Sequence, residues 1–202
     1  GGLFASNGGI LDIAGPVTAP AGQIISVRTG NVRFSGPAGA SDYDYFYHQE
    51  GTVTLGGNDA LSTRAVVDLG SVSPATLNLS GFSQRIGALT RVATGDNRIV
   101  TNTSSTLSTL TIDVGANVVG YYLGDYNYGG RLLGNLALVK AGAGLQILSG
   151  ANFHTGGTTV NAGTLRIANA TALGGETGFN GALTVNGGVL DIFGSGSAAI
   201  GV

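Results

Sequence analysis

Eight triplets of an apolar, a polar and a second apolar residue mark this chain at recurring intervals, and a small residue or glycine closes most of them. In the first half they are Leu11-Asp12-Ile13, Val32-Arg33-Phe34, Val53-Thr54-Leu55 and Leu77-Asn78-Leu79. In the second half they are Leu110-Thr111-Ile112, Leu145-Gln146-Ile147, Leu165-Arg166-Ile167 and Leu190-Asp191-Ile192. Alternation of this kind suits a strand with one buried and one wet face, because successive side chains point to opposite sides. The first apolar positions lie 21, 21, 24, 33, 35, 20 and 25 residues apart. A unit of that length is too small to bury its own apolar face, so it must stack on its neighbours.

The spacing predicts an all-β chain: a parallel β-helix, or β-solenoid, of about eight to ten coils of 20–25 residues with inserted loops, running through residues 1–202 as one segment. Leu11, Ile13, Leu77, Leu79, Leu165, Ile167, Leu190 and Ile192 are its expected interior, and the polar middle residues its expected surface. Glycine occupies 37 of 202 positions, against a usual frequency of roughly 7 %, with no collagen-like triplet period. It serves as punctuation: Asn7-Gly8-Gly9, Asn161-Ala162-Gly163 and Asn186-Gly187-Gly188 each stand before a strand, where a coil must turn a corner. No stretch carries a helical apolar period, so little or no helix is expected.

Charged residues make up 10 % of the chain and the net charge is −2, which removes the basic surface that nucleic acid or an anionic membrane would need. With no cysteine, disulfides, thiolate metal sites and thiol nucleophiles are excluded. No apolar run is long enough for a membrane-spanning helix. The Gly142-Ala143-Gly144 stretch lacks the strand-then-helix context of a phosphate loop, and no cofactor is expected. The chain begins at Gly1 without methionine, as a processed or excerpted piece would.

Residues 138–175, "LVKAGAGLQILSGANFHTGGTTVNAGTLRIANATALGG", resemble the passenger-associated strand repeat of autotransporter proteins. The match is carried by Lys140, Gly142, Gly144, Gly150, Asn152, Phe153, Gly156, Gly157, Thr158, Val160, Gly163 and Leu165. Gln146-Ile147-Leu148 shifts the strand by one residue relative to the usual pattern, and His154 stands where a small or polar residue is common. Residues 74–90 resemble a strand-turn unit found beside such repeats. The resemblance implies a right-handed parallel β-helix exported to the outside of a bacterium, as a surface stalk, adhesin or virulence passenger. It carries over no catalytic residue.

Chemistry is therefore sought in what interrupts the repeat. All seven tyrosines fall in two stretches, "SDYDYFYHQE" at 41–50 and "GYYLGDYNYGG" at 120–130. The second lies within the 35-residue interval, as an inserted loop would. Tyr43, Tyr45, Tyr47, Tyr126 and Tyr128 are the candidate partner contacts, since flat amphipathic rings beside Asp42, Asp44 and Asn127 suit sugar rings or another protein. The competing reading stacks the same rings on one another along the solenoid. Asp42, Asp44, His48 and Glu50 raise an acid–base or calcium reading, but their spacing fits no metal-loop template and a solvated acidic loop accounts for them. Asp12, Arg33, Arg166 and Asp191 are read as outward charges, and His154 as a corner residue.

Three functions are open to such a chain. The first is a non-enzymatic extracellular structural segment of a bacterial secreted or surface protein. The second is an adhesin that binds a glycan or a host or cell-surface protein through its tyrosines. The third is a polysaccharide lyase or hydrolase, an activity that other β-helices support. "NGGILDIAG" at 7–15 and "NGGVLDIFG" at 186–194 nearly repeat each other, as in a window of a longer array, and the open edges of such a stack make end-to-end self-association a further expectation.

Overall fold

The computed structural model describes residues 2–4 (backbone only), 9–70, 73–91, 97–115, 126–174 and 181–192. Among these residues there is no helix, and every strand pair is parallel. The chain winds as a solenoid of about seven turns with three walls.

The first wall stacks Gly2–Phe4, Ile24–Thr29, Tyr45–His48, Val66–Leu69 and Ala88–Thr90. A bridge between Arg91 and Tyr128 continues it into a four-stranded sheet of Tyr126–Tyr128, Leu145–Leu148, Thr164–Ile167 and Val189–Ile192. The second wall has seven strands: Ile10–Ile13, Asn31–Phe34, Gly51–Leu55, Ala75–Asn78, Arg98–Asn102, Arg131–Gly134 and Phe153–His154. The third begins later, with Gln84–Ile86, Ser108–Asp113, Leu136–Ala141, Thr158–Val160 and Leu183–Val185.

The triplets do not form one column. The first four stack in register on the second wall, the one at Leu110 sits on the third, and those at Leu145, Leu165 and Leu190 sit on the first. The intervals of 33 and 35 residues are therefore mostly changes of wall. Along the second wall, Ile10, Asn31, Thr52, Thr76, Ile99 and Arg131 stack at spacings of 21, 21, 24, 23 and 32 residues. The turns number about seven where eight to ten were expected, and one of them takes 32 residues.

Inside the prism, Val32, Phe34, Val53, Leu55, Leu77, Leu79, Leu89, Leu110, Leu132, Leu148 and Leu165 form one dry core. Four of the eight expected core residues, Leu77, Leu79, Leu165 and Ile167, lie in it fully buried. Ile13 and Leu190 are half-buried against it, while Leu11 and Ile192 are 36 % and 49 % exposed. Leu11 and Ile192 belong to the first and last full strands, where a coil is covered on one side only.

Gln146 reverses the expected alternation. It stands in register with Leu165 and is fully buried, so the inward residues of its strand are Gln146 and Leu148. Corners are made by glycine where sterics demand it. Gly30 and Gly51 stack at one corner with φ of 89° and 92°, and a Cβ on Gly51 would sit 2.2 Å from the Gly30 carbonyl oxygen.

Candidate functional site

The first tyrosine stretch builds wall and core. Within Tyr45–His48, Phe46 and His48 point inward, and Phe46 packs edge-on against Phe34 of the second wall with centroids 5.6 Å apart. Tyr43 tilts over Phe46 at 6.1 Å. Alternation then sends Tyr45 and Tyr47 outward, over the neighbouring coils. The Tyr45 hydroxyl donates to Asp68 Oδ2 at 2.6 Å. Arg91 Nε donates to Asp68 Oδ1 at 2.8 Å, and the Arg91 guanidinium lies 6.0 Å from the Tyr47 ring centre. Three successive coils are thus tied by one carboxylate, which is almost wholly buried.

In the second stretch Tyr126 and Tyr128 are inward residues in register with Gln146 and Leu148. The Tyr128 hydroxyl donates to the Arg98 carbonyl at 2.9 Å. Burial pushes the phenols of Tyr43, Tyr126 and Tyr128 up from their ordinary range. Tyr121, Tyr122 and Asp125 lie outside the described residues.

Of the two readings of the tyrosines, these placements favour stacking along the solenoid. Tyr43, Tyr45, Tyr126 and Tyr128 are 0, 6, 9 and 0 % exposed, and Tyr47 alone of the five is half-buried. Tyr43, Tyr126 and Tyr128 fill volume inside coils rich in small residues, whereas Tyr45 is covered by the neighbouring coil, to which Asp68 binds it.

The acidic residues are not a free cluster. Arg64 joins Asp42, at 2.5 Å, to Asp44, whose other oxygen accepts from the Gly22 amide at 2.9 Å. His48 lies inside the prism, so it cannot meet those carboxylates. Glu50 stays exposed. The outward charges of the triplets are likewise paired between adjacent coils, Asp12 with Arg33 and Arg166 with Asp191. Arg85 with Asp113 follows the same rule on the third wall. Among the described residues no group of three or more histidine, aspartate or glutamate side chains is placed to hold a metal.

The most unusual chemistry is inside coils 138–174. Lys140 points inward and its ammonium donates to the carbonyls of Ala141, Gly142 (2.8 Å) and Ala162 (3.2 Å), clasping two successive corners. Burial lowers its pKa to about 8 against the pull of Asp113. Asn152 Oδ1 accepts from the Leu132 amide at 2.8 Å, and its Nδ2 donates to the Ala172 carbonyl at 2.6 Å. His154 is a fully buried strand residue rather than a corner; its Nε2 meets Thr158 Oγ1 at 3.0 Å, and desolvation lowers its pKa to about 4. His48, equally buried, is also shifted down by desolvation, with its Nε2 on the Gly51 carbonyl.

Sequence reasoning passed over Asp68, Arg91 and Gln84. The available signal was an acid inside the apolar run Ala65-Val66-Val67-Asp68-Leu69: a carboxylate there needs a buried partner.

Residues 138–167 match the family model described as the passenger-associated-transport-repeat. They hold the lysine clasp, the buried asparagine and the inward histidine just described. The chain thus carries a passenger-associated repeat. The chain is 30 % identical over 168 residues, 81 % of its length, to the "Adhesin BmaC autotransporter" of Brucella suis biovar 1 (strain 1330). It spans 4 % of the length of that relative. No solved structure matches it. The chain is a surface β-solenoid segment, and its place is outside the cell, secreted or at the bacterial surface.

Proposed function

We propose that this chain is a non-enzymatic structural rod that spaces and stiffens a longer surface protein of the autotransporter passenger kind. One observation carries this reading: the ion pairs described above each join one coil to the next. An enzyme that cleaves polysaccharide needs acids or a base converging on one accessible face. Here Asp42 and Asp44 share Arg64, Asp68 is held by Tyr45 and Arg91, and both histidines are interior. The test exchanges this segment, within the full-length passenger, for an equal number of coils from an unrelated solenoid. A rod predicts unchanged surface display and adhesion. Loss of adhesion with normal display, or turnover of any polysaccharide by the purified segment, overturns it.

Adhesion by this segment itself is the second reading, favoured by the name of the relative in Brucella suis. Tyr47 and Arg91 on the outside of the first wall would then make the contact, with a glycan or a cell-surface protein as partner. End-to-end stacking of copies is a separate proposal, checked by sedimentation of the purified segment.

A further inference from the structure

A parallel ladder repeats its rungs every two residues, and one rung of the first wall is made by a side chain. At Arg91 the ladder is ordinary: the Arg91 amide donates to the Asn127 carbonyl, and the Gly129 amide donates to the Arg91 carbonyl, both at 2.8 Å. Two residues earlier stands Leu89, which pairs with Val67 on one side. On its other side Leu89 meets Gln146. The Leu89 amide donates to Gln146 Oε1 at 3.1 Å, and Gln146 Nε2 donates to the Leu89 carbonyl at 2.8 Å. The same Nε2 reaches the Tyr126 carbonyl at 3.0 Å. Leu89 and Gln146 are 57 residues apart, with the coil of Tyr126 between them.

We infer that the Gln146 amide is a splint that closes the first wall across the coil entering at Tyr126, so that the ladder does not depend on the length or sequence of residues 116–125. A carboxamide offers one acceptor and a donor in the arrangement of a peptide group, which fits it to stand in for a missing strand residue. The site is fully buried, so without the splint the Leu89 amide and carbonyl would lack partners in a dry interior. The long turn from Ile99 to Arg131 is then a graft point, where a rod can carry an excursion without opening its wall.

The device recurs independently. Gln84, also buried, takes the Leu61 amide on Oε1 at 3.0 Å and donates to the Leu61 carbonyl at 3.2 Å, where the third wall is just beginning. Asn152 does half of the same work for Leu132.

Hydrogen exchange of single amides in the whole chain tests the inference. Replacing 116–125 by ten or by thirty glycine and serine residues should leave Leu89 amide protection within about threefold of the wild type. Gln146→Met keeps the volume and removes the amide; it should lower Leu89 protection at least about tenfold, the equivalent of one net hydrogen bond, and leave Leu61 unchanged. Gln84→Met should do the reverse. If Gln146→Met does not fold, Gln146→Asn, one methylene too short to reach Leu89, takes its place. The inference is overturned if Leu89 stays protected without the Gln146 amide, or if replacing 116–125 deprotects Leu89 while Gln146 is intact.

Discussion

Leu165 and Arg166 are neighbours on one strand with opposite surroundings. Leu165 is fully buried between coils, whereas Arg166 is half-exposed and bonded to Asp191 at 2.7 Å. Leu165→Ala should cost about 2 to 5 kcal/mol, from lost burial and the cavity it leaves. Arg166→Ala should cost under about 1 kcal/mol, because water screens a half-exposed pair. Urea unfolding of both variants checks the faces; equal losses would mean the alternation is misassigned. His154 sets a pH dependence. Its folded pKa, about 4, lies below the ordinary 6.5, so the unfolded chain binds the proton more readily. Stability from this residue is full above pH 6.5 and is lost as pH falls through 4, by roughly 3 kcal/mol at most. Melting curves between pH 7 and pH 4 should therefore fall less steeply for His154→Gln than for the wild type.

At the scale of an element, the corners matter as much as the strands. Gly51 adopts φ of 92° directly above Gly30, with room for no side chain. Gly51→Ala combines left-handed strain with a backbone clash, so a loss of about 2 kcal/mol or more is expected. Gly22, with φ of 78° and nothing within 4 Å of an added Cβ, is the control: Gly22→Ala should lose about 1 kcal/mol, from conformation alone. Thermal melting of the pair separates strain from crowding. Between corners, the strands are two to six residues long and gain their stability by stacking.

For the molecule as a whole, each coil touches chiefly the coil before and after it, so stability is a sum of coil and interface contributions. Amide exchange should be slowest in the middle, around Val67, Leu77 and Leu110, where both neighbours are present. It should be fastest in Ile10–Ile13 and Val189–Ile192, whose Ile10 and Val189 side chains are 68 % and 57 % exposed. Uniform protection along the chain would show a single cooperative unit instead.

The all-β class, the stacked parallel coils, the glycine corners and the passenger repeat at 138–167 were all legible in the sequence, because each depends on local chemistry: alternation, a period, a left-handed backbone, a motif. Wall assignment was not, since the same Leu-Asp-Ile triplet serves the second wall at Leu11 and the first at Leu190. The candidate site was read least well. The tyrosines were visible as a cluster, but whether a ring faces water depends on which coils lie above and below it. The partners of Tyr45 and Gln146, Asp68 and Leu89, are 23 and 57 residues away. Only the stacking of coils decides such contacts, because it fixes which distant residues share a rung and which polar groups must find each other once water is gone.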